Sequence, residues 1–205
     1  MSAIDTPETE LFLVSQLHRS DAPAMLEHLL GLGEADRTQR FNQSCGTAAI
    51  EHYVAGLEYD RDAHYGVWLP ERQRLIGLTH LAIDSQYRFA EIGVSVDAGF
   101  RRRGVASRML KRAILHACNH GVAEVVMYFL PYNTELIELA RRQGMRLSVG
   151  NGEGIARLAA REPSVGSLAA EWLESMGELT TRSLQHLADG SSEAGEQFKK
   201  ALRAE

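Results

Sequence analysis

Apolar positions three and four apart along the chain mark helices, and short alternating or continuous apolar runs mark strands. On that basis ELFLVSQL, from Glu10, is a first strand. Asp21 follows as an N-cap with Pro23 in the first turn. Met25, Leu26, Leu29 and Leu30 then form a helical stripe that Gly31 and Gly33 end. Residues 35–41 and 47–54 predict two more short helices. Residues 64–69 and 74–83 predict a hairpin around Pro70-Glu71-Arg72-Gln73, and residues 89–96 a further strand. Residues 104–120 predict a helix with Val105, Met109, Leu110, Ala113, Ile114 and Ala117 on one side and Gly121 as its C′ glycine. A buried strand over 122–130 and a helix from Asn133 to Gly144 come next. The last pair of strands, 145–149 and 155–159, turns at Gly150-Asn151-Gly152. The order β-α-α-α-β-β-β-α-β-α-β-β implies an α/β (α+β) domain with a mixed sheet.

That domain is expected to span residues 1–160, with a helical extension over 161–205. In the extension Leu168, Trp172, Met176, Leu179 and Ser183 share one face, and Glu171, Glu174 and Glu178 lie elsewhere. An apolar stripe carrying a tryptophan must pack, either on its own domain or on a second copy of the chain.

Composition narrows the class. At 205 residues, 44% hydrophobic and 24% charged, the chain suits one ordinary domain with an appendage. The two cysteines, Cys45 and Cys118, build neither a disulfide framework nor a zinc site. No apolar run approaches a membrane span, and the acidic, polar start MSAIDTPETE does not read as a signal peptide, so a cytoplasmic protein is expected. The net charge of −5 hides a reversal: residues 101–112 hold six cations and no acid, which leaves the rest of the chain at −11. A cationic loop on an acidic body fits a small multivalent anion and argues against nucleic acid. A solvated, basic helix start fits it too.

The loop's setting adds to its charge. The strand Glu91-Ile92-Gly93-Val94-Ser95-Val96 leads through Asp97-Ala98-Gly99-Phe100 into Arg101-x-x-Gly104-x-Ala106 at the start of a helix. Unpaired amides at a helix N-terminus bind phosphate, and Gly104 and Ala106 leave room for close approach. Neither a Walker A nor a dinucleotide fingerprint is present. Arg-x-x-Gly-x-Ala after a strand resembles the pyrophosphate-binding signature of the GNAT N-acetyltransferases, Gln/Arg-x-x-Gly-x-Gly/Ala. Asn133-x-x-Leu136-x-x-Leu139-Ala140-x-x-x-Gly144-Met145 resembles the family's second signature. Ala90-Glu91-Ile92-Gly93-Val94-Ser95-Val96 and Leu139-Ala140-Arg141-Arg142 are most similar to the bacterial protein lysine acetyltransferases.

This resemblance implies a mixed, mostly antiparallel sheet flanked by helices, and acetyl transfer from acetyl-CoA to a primary amine. It implies that amides from Arg102 to Ser107, including Arg103, Gly104, Val105 and Ala106, hold the pyrophosphate, with charge from Arg101, Arg103 or Arg108. Lys111 or Arg112 would reach the 3′-phosphate. Val94 and Val96 would pair with the pantetheine arm, and Asn133 would contact it, though Asn133 is equally a plain N-cap. A backbone N–H near Val94 would hold the oxyanion, a contribution on the order of 10²–10³ in rate.

The acceptor amine must lose a proton: with a pKa near 10.4, only about one lysine in 10³–10⁴ is neutral at pH 7. Glu91 aligns with the family's general base, and apolar neighbours would raise its pKa toward a useful value. Ala140 stands where many relatives carry a tyrosine acid, and the thiolate can leave without it. A protein lysine is the leading acceptor and a small amine the alternative; a non-catalytic acetyl-CoA-binding module is the reading outside enzymes. His80 and His64 lie on the central hairpin, and Tyr53, Tyr59 and Tyr65 in the first half, where such enzymes build acceptor specificity. His116 and His120 stand at i, i+4, but no third ligand is apparent, so no metal is expected. Packing of the C-terminal helix on its own domain is the leading expectation, and a homodimer through that helix is the alternative.

Overall fold

The computed structural model describes residues 12–69, 74–84, 86 and 88–176. Seven strands form one sheet: β1 (Val14–Gln16), β2 (Ala63–Leu69), β3 (Arg74–Asp84), β4 (Phe89–Val96), β5 (Glu124–Phe129), β6 (Arg146–Gly150) and β7 (Glu153–Ala159). Their order across the sheet is β1-β2-β3-β4-β5-β7-β6. The β4–β5 pair is parallel and the other pairs are antiparallel. The helices are α1 (Ala22–Gly31), α2 (Glu34–Phe41), α3 (Thr47–Ala55), α4 (Val105–Asn119), α5 (Thr134–Arg142) and α6 (residues 165–176). No helix among the described residues is long and apolar enough to cross a membrane.

The sheet has a core on each side. Leu17, Met25, Leu29, Ile50, Leu75 and Leu78 join it to α1 and α3. Leu81, Ala90, Ile92, Leu110, Ala113, Val125 and Met127 join it to α4 and α5. The helix α4 crosses close to β3 because Gly77 has no side chain: a Cβ there would lie 2.8 Å from Met109 Cε and 2.9 Å from Val105 Cγ1. The β6–β7 turn uses Asn151 at φ 53° and Gly152 at φ 82°, the left-handed pair that a two-residue hairpin turn requires.

The elements follow the sequence pattern with differences at three places, and two expected segments lie outside the described residues. The first described strand is short, Val14–Gln16, and the expected start at Glu10 lies outside the described residues. Asp21 does not cap α1 with its side chain; Asp21 Oδ2 accepts the N–H of His18 (2.8 Å) and closes a 3₁₀ turn at Arg19–Asp21 instead. The loop at residues 70–73 and the tail beyond residue 176, with Leu179 and Ser183, lie outside the described residues. Finally, α6 lays a polar side on α4. Glu171 and Ser175 meet Arg112, while Leu168, Trp172, Leu173 and Met176 are exposed, Trp172 at 61%.

Candidate active site

The paired stretch of β4 and β5 is short. It runs from Phe89–Glu124 to Glu91–Val126, after which the two parallel strands part. Residues 92–96 of β4 therefore have no β5 partner, although all are paired with β3 on the other side. Asp97 N–H donates to Ile76 O (2.9 Å), which fixes the alternation. The main-chain groups of Ser95 and Gly93 turn to β3, and those of Val94 and Val96 turn into the gap. An extended, amide-bearing chain can pair there as an added strand.

The gap opens into a cavity of about 540 Å³. Val94, Val96, Arg101, Arg102, Gly104, Val105, Ala106, Ser107 and Asn133 line it, together with Glu91. At its far end stands the start of α4. The chain reaches that helix through Arg102 at φ 62° and Gly104 at φ 84°. Gly104 is the cap and offers no side chain, so the amides of Val105, Ala106 and Ser107 have no intrahelical acceptor. They carry the positive end of a 15-residue helix toward the cavity. These features fit a ligand with a phosphate head and an amide-rich arm.

Individual positions differ from a simple basic cradle. Arg101 is already engaged: Nε donates to Val96 O (3.2 Å), Nη2 pairs with Asp36 Oδ2 (2.7 Å), and Nη1 lies 4.0 Å from Glu135 Oε2. Arg103 does not line the cavity; its guanidinium lies 5.3 Å from the Phe100 ring centroid. Arg112 is buried and turned to α6, where Nη1 meets Glu171 (3.3 Å) and Nε meets Glu174 (3.1 Å). It does not line the cavity. Asn133 Oδ1 accepts the N–H of Leu136 (3.1 Å) as an N-cap, and the residue also lines the cavity. Glu91 is exposed, so the apolar enclosure expected around it is absent. Ala140 is buried in the core and brings no hydroxyl.

The α2 side of the cavity, with Asp36, Gln39 and Arg40, is built by residues that no motif marks. Arg40 of α2 lies flat over Gly93: a Cβ on Gly93 would sit 2.4 Å from Arg40 Cζ. A glycine inside a strand signals such a close approach. Arg40 Nη2 donates to Tyr53 Oη (2.9 Å), Tyr53 Oη meets His80 Nδ1 (2.7 Å), and His80 Nε2 meets Asp62 Oδ2 (3.0 Å). Since the carboxylate can only accept, His80 donates from Nε2 to Asp62. Burial pushes the Asp62 carboxyl up, but bonds from His80, Arg61 and the Ile83 N–H outweigh it and hold the group well below the usual range. His80 therefore stands two hydrogen bonds behind Arg40, the member of this chain that lines the cavity, with Tyr53 between them. His64 stacks on His80 at 4.6 Å. Burial, and then the neighbouring His80, push the His64 imidazole down to about 3.

Comparisons with known proteins agree with this geometry. The GNAT domain of PAT from S. lividans is similar at 15% identity over 71% of this chain and 89% of that one, with a TM-score of 0.61. A ribosomal-protein-alanine N-acetyltransferase from Brucella melitensis matches at 14% identity, covering 72% and 99%, with a TM-score of 0.55. A spermidine N-acetyltransferase from Vibrio cholerae, solved with CoA and spermine, matches at 15% identity over 73% and 95%, with a TM-score of 0.56. At these identities the likeness is one of fold. The family described as "Acetyltransferase (GNAT) family" matches residues 29–145, more than half of the sequence. The chain therefore belongs to the GNAT acetyltransferases, acyltransferases that use acetyl-CoA as co-substrate and an amine as acceptor.

Proposed function

We propose that this enzyme acetylates a primary amine, a protein lysine first, by direct attack, with Glu91 as general base. The observation that carries the reading is the position of Glu91, at the last β4–β5 pair and on the wall of the cavity that the gap opens into. A carboxylate buried away from that gap would instead suit a binding module. The pyrophosphate would rest on the amides of Val105, Ala106 and Ser107 with Arg102 beside it, and the arm would lie along Val94 and Val96. The Val94 N–H, turned into the gap, would hold the carbonyl oxygen as charge develops on it. Glu91 would take the ammonium proton, directly or through water, and the thiolate would leave without a protein acid.

The lysine preference rests on the Ala90-Glu91 strand start and the Leu139-Ala140-Arg141 turn. Asp36, Glu91 and Glu138 on the cavity wall suit a cationic acceptor. Structural neighbours differ in acceptor, so the test must offer several. Thiol release from acetyl-CoA should be measured with a lysine peptide, a peptide with a free N-terminal amine, and a polyamine. Preferred turnover of the lysine peptide is expected, and preferred turnover of the polyamine would overturn that choice. Glu91→Gln should lower kcat by about 10²–10⁴ and remove the acid limb of its pH profile. An unchanged profile would exclude Glu91 as base.

The exposed stripe on α6 is read as a contact with a second copy of the chain. Light scattering of the parent and of Trp172→Glu should show a dimer and a monomer. A monomeric parent would dispose of this assembly.

A further inference from the structure

Two histidines one turn apart on α4 are a familiar start for a metal site, and α6 supplies what they lack. His116 and His120 stack at 3.7 Å between ring centroids, with their planes 20° apart. Glu171 reaches them from α6, with Oε1 2.8 Å from His116 Nδ1. One ligand atom from each of the three residues lies within 4.8 Å of the others. We propose that His116, His120 and Glu171 form a binding site for a divalent transition cation, of which Zn²⁺ is the best match, and that the ion clasps α6 to α4.

The chemistry of the donors supports this choice. Two imidazole nitrogens and one carboxylate oxygen are the ligand types that zinc takes, with bonds of about 2.0–2.2 Å. Three protein ligands leave a fourth position for water, which the exposed edge at His120 can supply. His120 Nδ1 donates to the main-chain oxygen of His116 (2.8 Å), so its lone pair stands on Nε2. Tetrahedral ligands stand about 3.3 Å apart at those bond lengths, so the donor atoms, now within 4.8 Å of one another, draw in and the stacked rings turn toward one point when the ion binds. The proton between His116 and Glu171 would go to solvent where the ion takes either atom.

The supporting shell is already built. Asn119 Nδ2 donates to Glu171 Oε2 (2.6 Å), and Ser167 Oγ donates to Asn119 Oδ1 (2.7 Å). Outer partners of this kind orient a carboxylate for a metal. Arg112 Nη1, 3.3 Å from Glu171 Oε1, draws on the same carboxylate and makes the site weaker than a dedicated structural zinc centre. The site lies on α4 and α6, apart from the cavity, and does not depend on the acceptor or base assigned above.

Titration of the chelator-treated full chain with ZnCl₂, followed by calorimetry, tests the proposal. Co²⁺ provides a second readout through the visible absorption of a four-coordinate ion. One equivalent is expected to bind, and to raise Tm. His120→Ala and Glu171→Gln should each weaken binding by at least about tenfold and remove the Tm rise, with far-UV circular dichroism unchanged. Loss on His120→Ala but not on Glu171→Gln would reduce the site to a surface histidine pair and overturn the clasp. So would binding that neither substitution alters, or no binding of one equivalent by the parent. Should a variant lose its circular dichroism signal, His120→Gln and Glu171→Ala decide by the same criteria.

Discussion

Gly93 shows how much one missing side chain controls. Its bare Cα lets the Arg40 guanidinium lie on β4, beside the amide of Val94. Gly93→Ala pushes that guanidinium off and breaks its bond to Tyr53 Oη. The expected stability loss is about 1 kcal/mol, because the far end of a flexible side chain can yield. The acceptor KM should rise several-fold while the KM for acetyl-CoA holds, as steady-state kinetics with both substrates varied would show. Behind this wall, His64 makes a different prediction. The unfolded chain protonates this histidine near pH 6.5, and the folded protein only near 3. The stability from its neutral burial is complete above about pH 6.5 and is lost as pH falls toward 3. His64→Phe should therefore flatten the fall of Tm between pH 6.5 and 5 relative to the parent.

At the scale of elements, β4 and α4 were the most legible part of the chain, and the reason is local. A β-branched strand, a basic turn and an amphipathic helix each follow from neighbouring residues, so Phe89–Val96 matches its expected limits and α4 differs by one residue at each end. The approach of α4 to the sheet depends on a distant residue, Gly77, which the sequence presents only as a glycine in a strand. Gly77→Ala overpacks Val105 and Met109 and should cost about 1–3 kcal/mol by denaturant titration. Because Val105 opens α4, the same substitution should lift the helix start and weaken coenzyme A binding, read by calorimetry. The orientation of α6 was not legible for a related reason. Its apolar stripe is visible in sequence, but Arg112 and Asn119, which draw its polar side inward, stand 63 and 52 residues before their partners Ser175 and Glu171.

For the molecule as a whole, the concentration of positive charge at residues 101–112 was the first pointer to the ligand, yet its members have separate destinations. Arg102 lines the cavity, Arg103 stacks on Phe100, and Arg112 anchors α6. Net charge could not sort them, since each depends on a partner brought in by the fold. The α2 side of the cavity was least legible, because Arg40 on its wall and Tyr53, His80 and Asp62 behind it come from separate parts of the chain that share no motif.

Arg101 bears on turnover. It holds Val96 O in the gap and Asp36 on α2 at the same time. On the proposed placement of the arm along Val96, loading acetyl-CoA would be an exchange, in which an internal stand-in leaves the strand edge as the incoming arm takes it. Asp36→Asn loosens the stand-in and should tighten coenzyme A binding by about two- to five-fold in calorimetry, the worth of one partly exposed ion pair. On that placement the Arg101 side chain would cover the strand edge at Val96 again once the spent coenzyme has left.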